Sequence, residues 1–427
     1  MSYRDLATRP VLTWSAVSVG ARMPVAMAPL ALVFLARERP GGYTLGAVLA
    51  AAFVLGEIVG APVLGMRLWA ERARAQLAAG LAGGAVGFAG LGVLPGAHPV
   101  VLAAFAFLAG GAPAASAGGL RTLLTELVPE RAAAQALSAE SMLLSGVWAL
   151  SPAAVAGLAL GVAPEVPLLL GAALMAASVA GLWLLPAAWG VGGTERTEGS
   201  RVRVLAGAWP VYVTGAASLT MLGLAELTLP ALLEQRGIGV GWSGPLLAAM
   251  AVAAGLGAFV YGLRNWPGLL RTRGLVLTTA MAACVTLVAL ATHPVAVGAA
   301  LCAGGMFQAG ATVTRNLALR DALPPGALAA GYSVMYAAAG AGYAATGSLA
   351  GLLLKVMEPS SAVLAGVVLI LLLSVVGWAG EAYRAGRSAR GGVVVAGAAG
   401  EAGAVGGVPV PPERPAISRR RDAQGGL

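Results

Sequence analysis

Three ionisable residues lie deep within apolar runs of the sequence. Arg22, Glu57 and Glu226 are each surrounded by apolar and small residues on both sides. A charge at the centre of a bilayer costs several kcal/mol, with values beginning at roughly 2.5 kcal/mol, so such a residue usually faces a cavity or a charged partner. These three residues are therefore the first candidates to line a pathway for cargo or to carry a proton.

Arg22 and Glu57 have matching predicted depths. The apolar run that contains Arg22 begins near residue 12, and the run that contains Glu57 ends near residue 66. At 1.5 Å per residue, both side chains lie about 14 Å from the same end of their helices. The sequence predicts an Arg22–Glu57 pair, which either lines the pathway, with Glu57 titrating or Arg22 binding an anion, or is a static ion pair that fixes helix packing.

Glu226 has no obvious basic partner at its depth in the second half of the chain. Either it carries a proton, or it is a protonated carboxyl hydrogen-bonded to a neighbouring helix. Glu140 lies about one turn inside its run and is expected to reach the membrane interface, in the direction of Arg121, for a gating or structural contact. Asn316, beside Arg315, is expected to be solvated at the interface.

Neutral polar residues around the tenth and eleventh predicted spans, among them Gln308, Tyr332 and Tyr336, also provide hydroxyl and amide groups that could orient a cargo. The predicted pathway or proton-coupling residues are Arg22, Glu57, Glu226, Gln308, Tyr332 and Tyr336.

Other reactive residue types point away from enzymatic chemistry. Lys355 is the only lysine, and no glycine-rich stretch has the spacing of a nucleotide-binding loop. His98 and His293 are predicted in short outer loops, without a Ser or Asp constellation for hydrolysis. Cys284 and Cys302 lie within apolar runs and lack metal-site or redox spacing. The sequence predicts no enzyme, no cofactor and no metal site.

The elements that must position these residues are membrane spans. The chain of 427 residues is 58% hydrophobic and 11% charged, whereas a soluble domain has roughly 25% charged residues. Windows of about 20 apolar residues predict an all-α membrane protein of twelve spans. These lie near residues 12–35, 44–66, 75–95, 99–119, 136–160, 165–187, 207–232, 242–262, 274–291, 294–314, 328–354 and 361–382.

The positions of the basic residues predict the topology. Of the 27 Lys and Arg residues, only Arg37, Arg39, Arg236 and Lys355 fall on the side opposite the termini, and Arg22 lies within a span. Positive charge is retained in cytoplasmic loops, so both termini are predicted in the cytoplasm of a multi-pass inner-membrane protein. The net charge of +9 is spread between spans and is not a basic patch for nucleic acid.

The two halves of the chain repeat each other with a period near 195 residues. His98-Pro99-Val100 reappears as His293-Pro294-Val295, and Arg121 aligns with Arg315. An offset of six spans keeps the membrane orientation, so the repeats are parallel. The predicted organisation is one six-helix bundle over 1–187, a cytoplasmic linker over 188–206, a second bundle over 207–384 and a disordered basic cytoplasmic tail over 385–427.

Two parallel six-span halves with basic loops after spans two and eight resemble the major facilitator superfamily of secondary transporters. The segments Gly20–Met27, Arg121–Pro129 and Glu226–Pro230 are similar to a branch common in actinobacteria. The resemblance implies alternating access in a monomer. It also implies cytoplasmic gating contacts, and the candidates for them are Arg67, Arg72, Arg121, Glu140, Arg264 and Arg315.

The superfamily motifs are present in altered form. Gly65 is followed by Trp69 where the loop motif after span two has an acid, so the ionic lock is expected to be weakened or relocated. The segment from Gly146 to Gly157 resembles the span-five motif of exporters. Ala106 stands where many proton-coupled relatives have an arginine.

Ala106 excludes proton coupling through an arginine at that position, but the carboxylates among the candidates and the exporter-like segment predict proton-coupled export of a small amphipathic metabolite or drug. The alternatives are uptake of a sugar, amino acid or anion and, in another class, a membrane scaffold or sensor without transport. The expected partners are a small-molecule cargo, protons and the lipid bilayer.

Overall fold

The computed structural model describes residues 6–37, 42–68, 70–186, 198–239, 242–264 and 266–405. Side chains are not described for a few of these residues, including those after 384. Within the described ranges the chain forms helices, short 3-10 turns and loops, and no strand. The helices are α1 (Arg9–Ala36), α2 (Gly42–Met66), α3 (Ala73–Val93), α4 (Pro99–Gly111), α5 (Ser116–Leu127), α6 (Ala133–Gly161), α7 (Val166–Leu182), α8 (Glu198–Gly207), α9 (Trp209–Gln235), α10 (Ser243–Leu263), α11 (Leu270–Leu290), α12 (Pro294–Ala322), α13 (Leu328–Val356) and α14 (Pro359–Val405).

The twelve predicted membrane segments are all present as helices. Ten segments of the described chain are long and apolar enough to cross a membrane, and α4 and α5 together make one of them. The other two are α7, an apolar helix of 17 residues, and α13, with 29 residues. The protein is therefore an all-α multi-pass membrane protein.

Besides α14, which continues to Val405 rather than residue 382, two segments are clearly longer than predicted. The fourth continues to Leu127 rather than residue 119, with a break between α4 and α5 at Pro113, a residue that has no amide hydrogen to give to a helix. The tenth, α12, continues to Ala322 rather than residue 314. Both extensions contain polar residues that a hydropathy window excludes and that the folded protein buries.

The helices form two six-helix bundles within one compact unit that ends at Glu381. In the first bundle α1 packs against α2, α6 and α7, and α3 packs against α4 and α7. In the second, α9 packs against α13, and α12 packs against α10 and α11. Between the bundles, α2 and α5 contact α13, and α6 contacts α10 and α12.

The internal repeat is visible in local geometry. His98 and His293 are the N-cap residues of α4 and α12. The Nδ1 atom of each accepts a hydrogen bond from the backbone N–H two residues later, that of Val100 in one case and Val295 in the other, at 3.3 Å in both. The histidines therefore cap corresponding helices of the two bundles.

The predicted boundaries outside the bundles remain predictions. Residue 187, residues 188–197 of the predicted linker and residues 406–427 of the predicted tail lie outside the described residues. A second compact unit begins at Ala382, and its described backbone continues α14 to Val405.

Candidate functional site

A buried carboxylate in the first bundle binds two arginines. Glu140 of α6 accepts a hydrogen bond from Arg121 Nε of α5 through Oε2 at 2.7 Å and one from Arg22 of α1 through Oε1. The Glu140 side chain is 1% exposed. Arg22 also donates to the carbonyl oxygen of Ala117 at 3.3 Å. We call Arg22, Arg121 and Glu140 the charge cluster.

The predicted Arg22–Glu57 pair is wrong. Helix depth alone did not determine the direction of the side chain around the axis of α1, which packs on both α2 and α6. Glu140 was expected at the interface, but it lies about two turns inside α6, which begins at Ala133, and it is the partner of Arg22. The predicted approach of Glu140 to Arg121 is confirmed.

Glu57 instead makes a contact between the bundles. Tyr336 of α13 donates a hydrogen bond from its hydroxyl to Glu57 Oε1 of α2 at 3.1 Å. Among the described residues, no basic group lies within salt-bridge distance of Glu57. We call Glu57 and Tyr336 the bridging pair.

Arg121 connects the charge cluster to the second bundle. Its guanidinium carbon lies 5.3 Å from the centre of the Tyr332 ring, and its Nη1 lies 3.5 Å from Asn316 Oδ1. Tyr332 donates its hydroxyl hydrogen to the backbone oxygen of Asn316 at 3.0 Å. Asn316 is 1% exposed, so its predicted interface solvation is wrong, because α12 continues beyond it and packs at the junction of the bundles.

These contacts lie at the same end of the two bundles. We call it the closed end: α2, α5, α10 and α12 finish there, and α3, α6, α11 and α13 begin there. Leu137 of α6 is also buried against Tyr261 of α10 and Val313 of α12 near this end. The salt bridge of Glu130 with Arg320, at 3.9 Å, is largely exposed and contributes little.

Comparison with known proteins identifies the fold. No family model and no curated protein matches the sequence. Among solved structures, the human organic anion transporter MFSD10 (TETRAN) is similar with a TM-score of 0.70 and 14% identity, over 86% of this chain and 99% of that one. This chain has the major facilitator fold.

Two further structures with the major facilitator fold give the same result. The transporter FucP in its outward conformation has a TM-score of 0.68 and 14% identity, over 88% of this chain and 99% of that one. An outward-facing bacterial homologue of the iron transporter ferroportin has a TM-score of 0.66 and 14% identity, over 87% of this chain and 100% of that one. At this identity the likeness concerns the fold, and the function has to be argued from the site.

The remaining predicted pathway residues lie within the second bundle of the major facilitator fold. Tyr343 of α13 donates a hydrogen bond to Glu226 Oε2 of α9 at 2.9 Å. Ser218 of α9 donates one to Gln308 Oε1 of α12 at 2.8 Å. These contacts join helices of one bundle, whereas the bridging pair joins the two bundles.

The predicted gating arginines lie in three different environments. Arg121 lies at the junction of the bundles. Arg67, Arg72 and Arg264 are exposed, and among the described residues none of the three forms a salt bridge. Arg315 donates from Nη1 to the backbone oxygen of Gly215 at 3.2 Å, so it contacts α9 of its own bundle. A gating role for these residues stays a prediction.

Two contact residues were not among the predicted site residues. Tyr336 follows Tyr332 by four residues and Tyr343 follows Tyr336 by seven, so the three tyrosines share one side of α13. This periodicity was a usable signal. Ser333 has no such signal, because its importance comes from two glycines in the other bundle.

Gly65 and Gly118 allow the bundles to approach each other at the closed end. A Cβ atom on Gly65 would collide with the Ser333 side chain, and one on Gly118 would lie 2.5 Å from Ser333 Oγ and 2.6 Å from the backbone oxygen of Ala329. Real Cβ contacts are not this short. An added methyl group at either position therefore requires α13 to move away from the first bundle.

We expect Gly118→Ala to widen the closed end. The measurement is the distance between spin labels on Arg131→Cys and Leu269→Cys, two exposed positions on different bundles, with Cys284 and Cys302 replaced by alanine. Gly146→Ala is the matched control, since nothing among the described residues lies within 4 Å of a Cβ at Gly146. Equal distance distributions in the two variants would show that Gly118 does not limit the approach of the bundles.

Proposed function

We propose that this protein is a secondary active transporter that works by alternating access and couples transport to protons through Glu57. The observation that carries the proposal is the Glu57–Tyr336 hydrogen bond, which joins the two bundles. A titratable group at that position can make the contact between bundles depend on its proton. The major facilitator fold supports a rocking movement of two parallel repeats around a central site.

The described conformation fits one of the two end states of such a cycle, the one in which the bundles are in contact at the closed end. The bundles meet at the closed end, which is the side predicted as cytoplasmic from the basic residues. Gly146, Gly157 and Gly161 of α6 and Gly340 of α13 have no atom of the described residues within 4 Å of a Cβ position. We infer an outward-facing state of a cell-membrane protein with cytoplasmic termini.

The proposed coupling follows from the cost of burying charge. An ionised Glu57 in the closed contact would be partly buried, with the Tyr336 hydroxyl as a donor and no salt-bridge partner among the described residues. Removing a charge from water without a charged partner is costly. A neutral carboxyl can occupy the same place and keep the hydrogen bond. In the proposed cycle Glu57 holds a proton while this end is closed and loses it when the end opens to water.

This cycle would move protons inward, which fits export of the cargo. Inward proton flow down its gradient can drive an unrelated molecule outward, and the Gly146 to Gly157 segment resembles the motif of exporters. A small amphipathic metabolite or drug is our proposed cargo, and we propose a monomer as the working unit.

A small anion is the second candidate cargo. In the charge cluster one carboxylate serves two guanidinium groups, which leaves an excess of one positive charge beside the junction of the bundles. An anionic group could bind there when the closed end opens. Glu140 holds both arginines in the closed conformation, so the anion would have to compete with it.

Flux through the purified protein in liposomes tests the proposed function. A panel of amphipathic cations and neutral drugs is compared with a panel of small organic anions, with and without an imposed pH gradient. Accumulation that collapses with the proton gradient supports the transporter, and the panel that accumulates identifies the cargo class. Binding without flux would favour the scaffold or sensor alternative.

A further inference from the structure

A cavity with several polar side chains in its lining lies inside the second bundle, apart from the charge cluster and the bridging pair. It is open at one side and has a volume of about 30 Å³. Its lining comes from α9, α11, α12 and α14, and its polar members are Thr214, Ser218, Arg271, Thr278, Thr314, Arg315, Ser374, Trp378 and Glu381. Arg271 is the second residue of α11, so the cavity lies near the closed end, at the depth of a membrane surface.

Two hydrogen-bond donors in this cavity have no acceptor. Arg315 Nε and Trp378 Nε1 are buried, and neither has a partner among the described residues. Both groups can only donate. Two buried N–H groups at the cavity are therefore unpaired among the described residues, and leaving such groups unpaired is costly.

Arg315 forms no salt bridge with the described residues, in contrast to its counterpart in the first repeat. Arg121 corresponds to Arg315, and Arg121 is paired with Glu140. The repeat offset of 194 or 195 residues places Val334 or Met335 opposite Glu140, and neither can bind a cation. Arg315 is consequently a partly buried arginine whose described partner is the backbone oxygen of Gly215.

The rest of the lining suits an oxyanion with several acceptor oxygens. Tyr261 Oη and Thr314 Oγ1 are 2.7 Å apart, and Arg273 donates to Tyr261 Oη at 2.9 Å. If Tyr261 passes its hydrogen to Thr314, the Thr314 hydroxyl hydrogen is directed to another acceptor. Arg271 adds a second positive charge, and Glu381 is the one acid of the lining.

We propose that this cavity binds a phosphate group, carried either by the headgroup of an anionic lipid or by free phosphate. Arginine, indole N–H and hydroxyl donors arranged around one space match the several oxygens of a phosphate. Basic pockets between membrane helices near the surface are suited to anionic headgroups. The phosphate would accept from Arg315 Nε and Trp378 Nε1 and would neutralise Arg315.

The full-length protein in uncharged detergent tests this site with two probes. Inorganic phosphate and short-chain phosphatidylglycerol are added separately, and short-chain phosphatidylcholine serves as the lipid without net charge. The readouts are the thermal midpoint and bound mass by native mass spectrometry. We expect a phosphate-containing anion to bind and to raise the midpoint of the wild type, and Arg315→Gln to lose most of that shift.

The controls keep the test independent of how well Arg315→Gln folds. Arg203→Gln removes an exposed arginine of α8 that does not line the cavity and should keep the wild-type shift. Glu381→Gln removes the acid from the lining and should enlarge the shift, and Arg271→Gln should reduce it.

Binding of phosphatidylglycerol alone assigns the site to a lipid headgroup, and binding of both probes assigns it to phosphate in general. No binding of either probe, or equal shifts in all four variants, would overturn the proposal.

Discussion

Replacing Glu57 by glutamine is expected to abolish accumulation of cargo against its gradient while cargo exchange continues. Glutamine has nearly the volume of a protonated glutamate, and its amide oxygen can still accept the hydrogen bond from Tyr336. The variant keeps the contact between the bundles but cannot release a proton when the closed end opens. Exchange and gradient-driven flux measured side by side in liposomes separate these two properties.

Glu226→Gln is the matched comparison for this result. Glu226 also accepts a hydrogen bond from a tyrosine of α13, but that contact lies within the second bundle and does not join the two. We expect Glu226→Gln to retain uphill transport. If it loses uphill transport and Glu57→Gln keeps it, Glu226 is the proton carrier and our assignment to Glu57 is wrong.

Replacing Glu140 by glutamine is expected to destabilise the protein by roughly 3 to 5 kcal/mol, the usual cost of removing one partner of a buried ion pair. Glu140 is the carboxylate shared by Arg22 and Arg121. Without it, two neighbouring guanidinium charges remain buried in the first bundle and repel each other. The thermal midpoint in detergent should fall clearly below that of the wild type and of Glu57→Gln.

The double variant Arg22→Met with Glu140→Gln should recover part of this loss. Removing one guanidinium takes away the like-charge contact, so the two changes together should cost less than the sum of the two alone. If the stability lost in the double variant equals the sum of the losses in the two single variants, Arg22 and Glu140 do not stabilise each other. That result would contradict the geometry of the charge cluster.

The fold was largely predictable, because a bilayer imposes long apolar helices whose period and spacing are visible in the sequence. The repeat offset also predicted matching local structure, and His98 and His293 cap their helices in the same way. The extension of α12 beyond residue 314 was missed because its last two turns contain Arg315, Asn316 and Arg320, which lower the hydropathy.

The pairing of the site residues was predictable only in part. The sequence showed the depth of Arg22 and Glu57 but not the direction in which each side chain leaves its helix. The Arg22 side chain points from α1 toward α6, so its partner is Glu140 and not Glu57. The approach of Glu140 to Arg121 was predicted because the two residues flank one short connection. The contacts of Glu57 with Tyr336 and of Gly118 with Ser333 join the two halves of the chain, and their register depends on how the bundles dock.

The central claim is that the proton on Glu57 controls the closed end. The most direct measurement is the distance between spin labels at Arg131→Cys and Leu269→Cys in lipid nanodiscs, from acidic to alkaline pH. It is made in the labelled protein that keeps Glu57 and in the same protein with Glu57→Gln. We expect the distance to increase with pH when Glu57 is present and to be independent of pH in Glu57→Gln. A distance that does not change with pH in the presence of Glu57, or the same increase in both proteins, would contradict it.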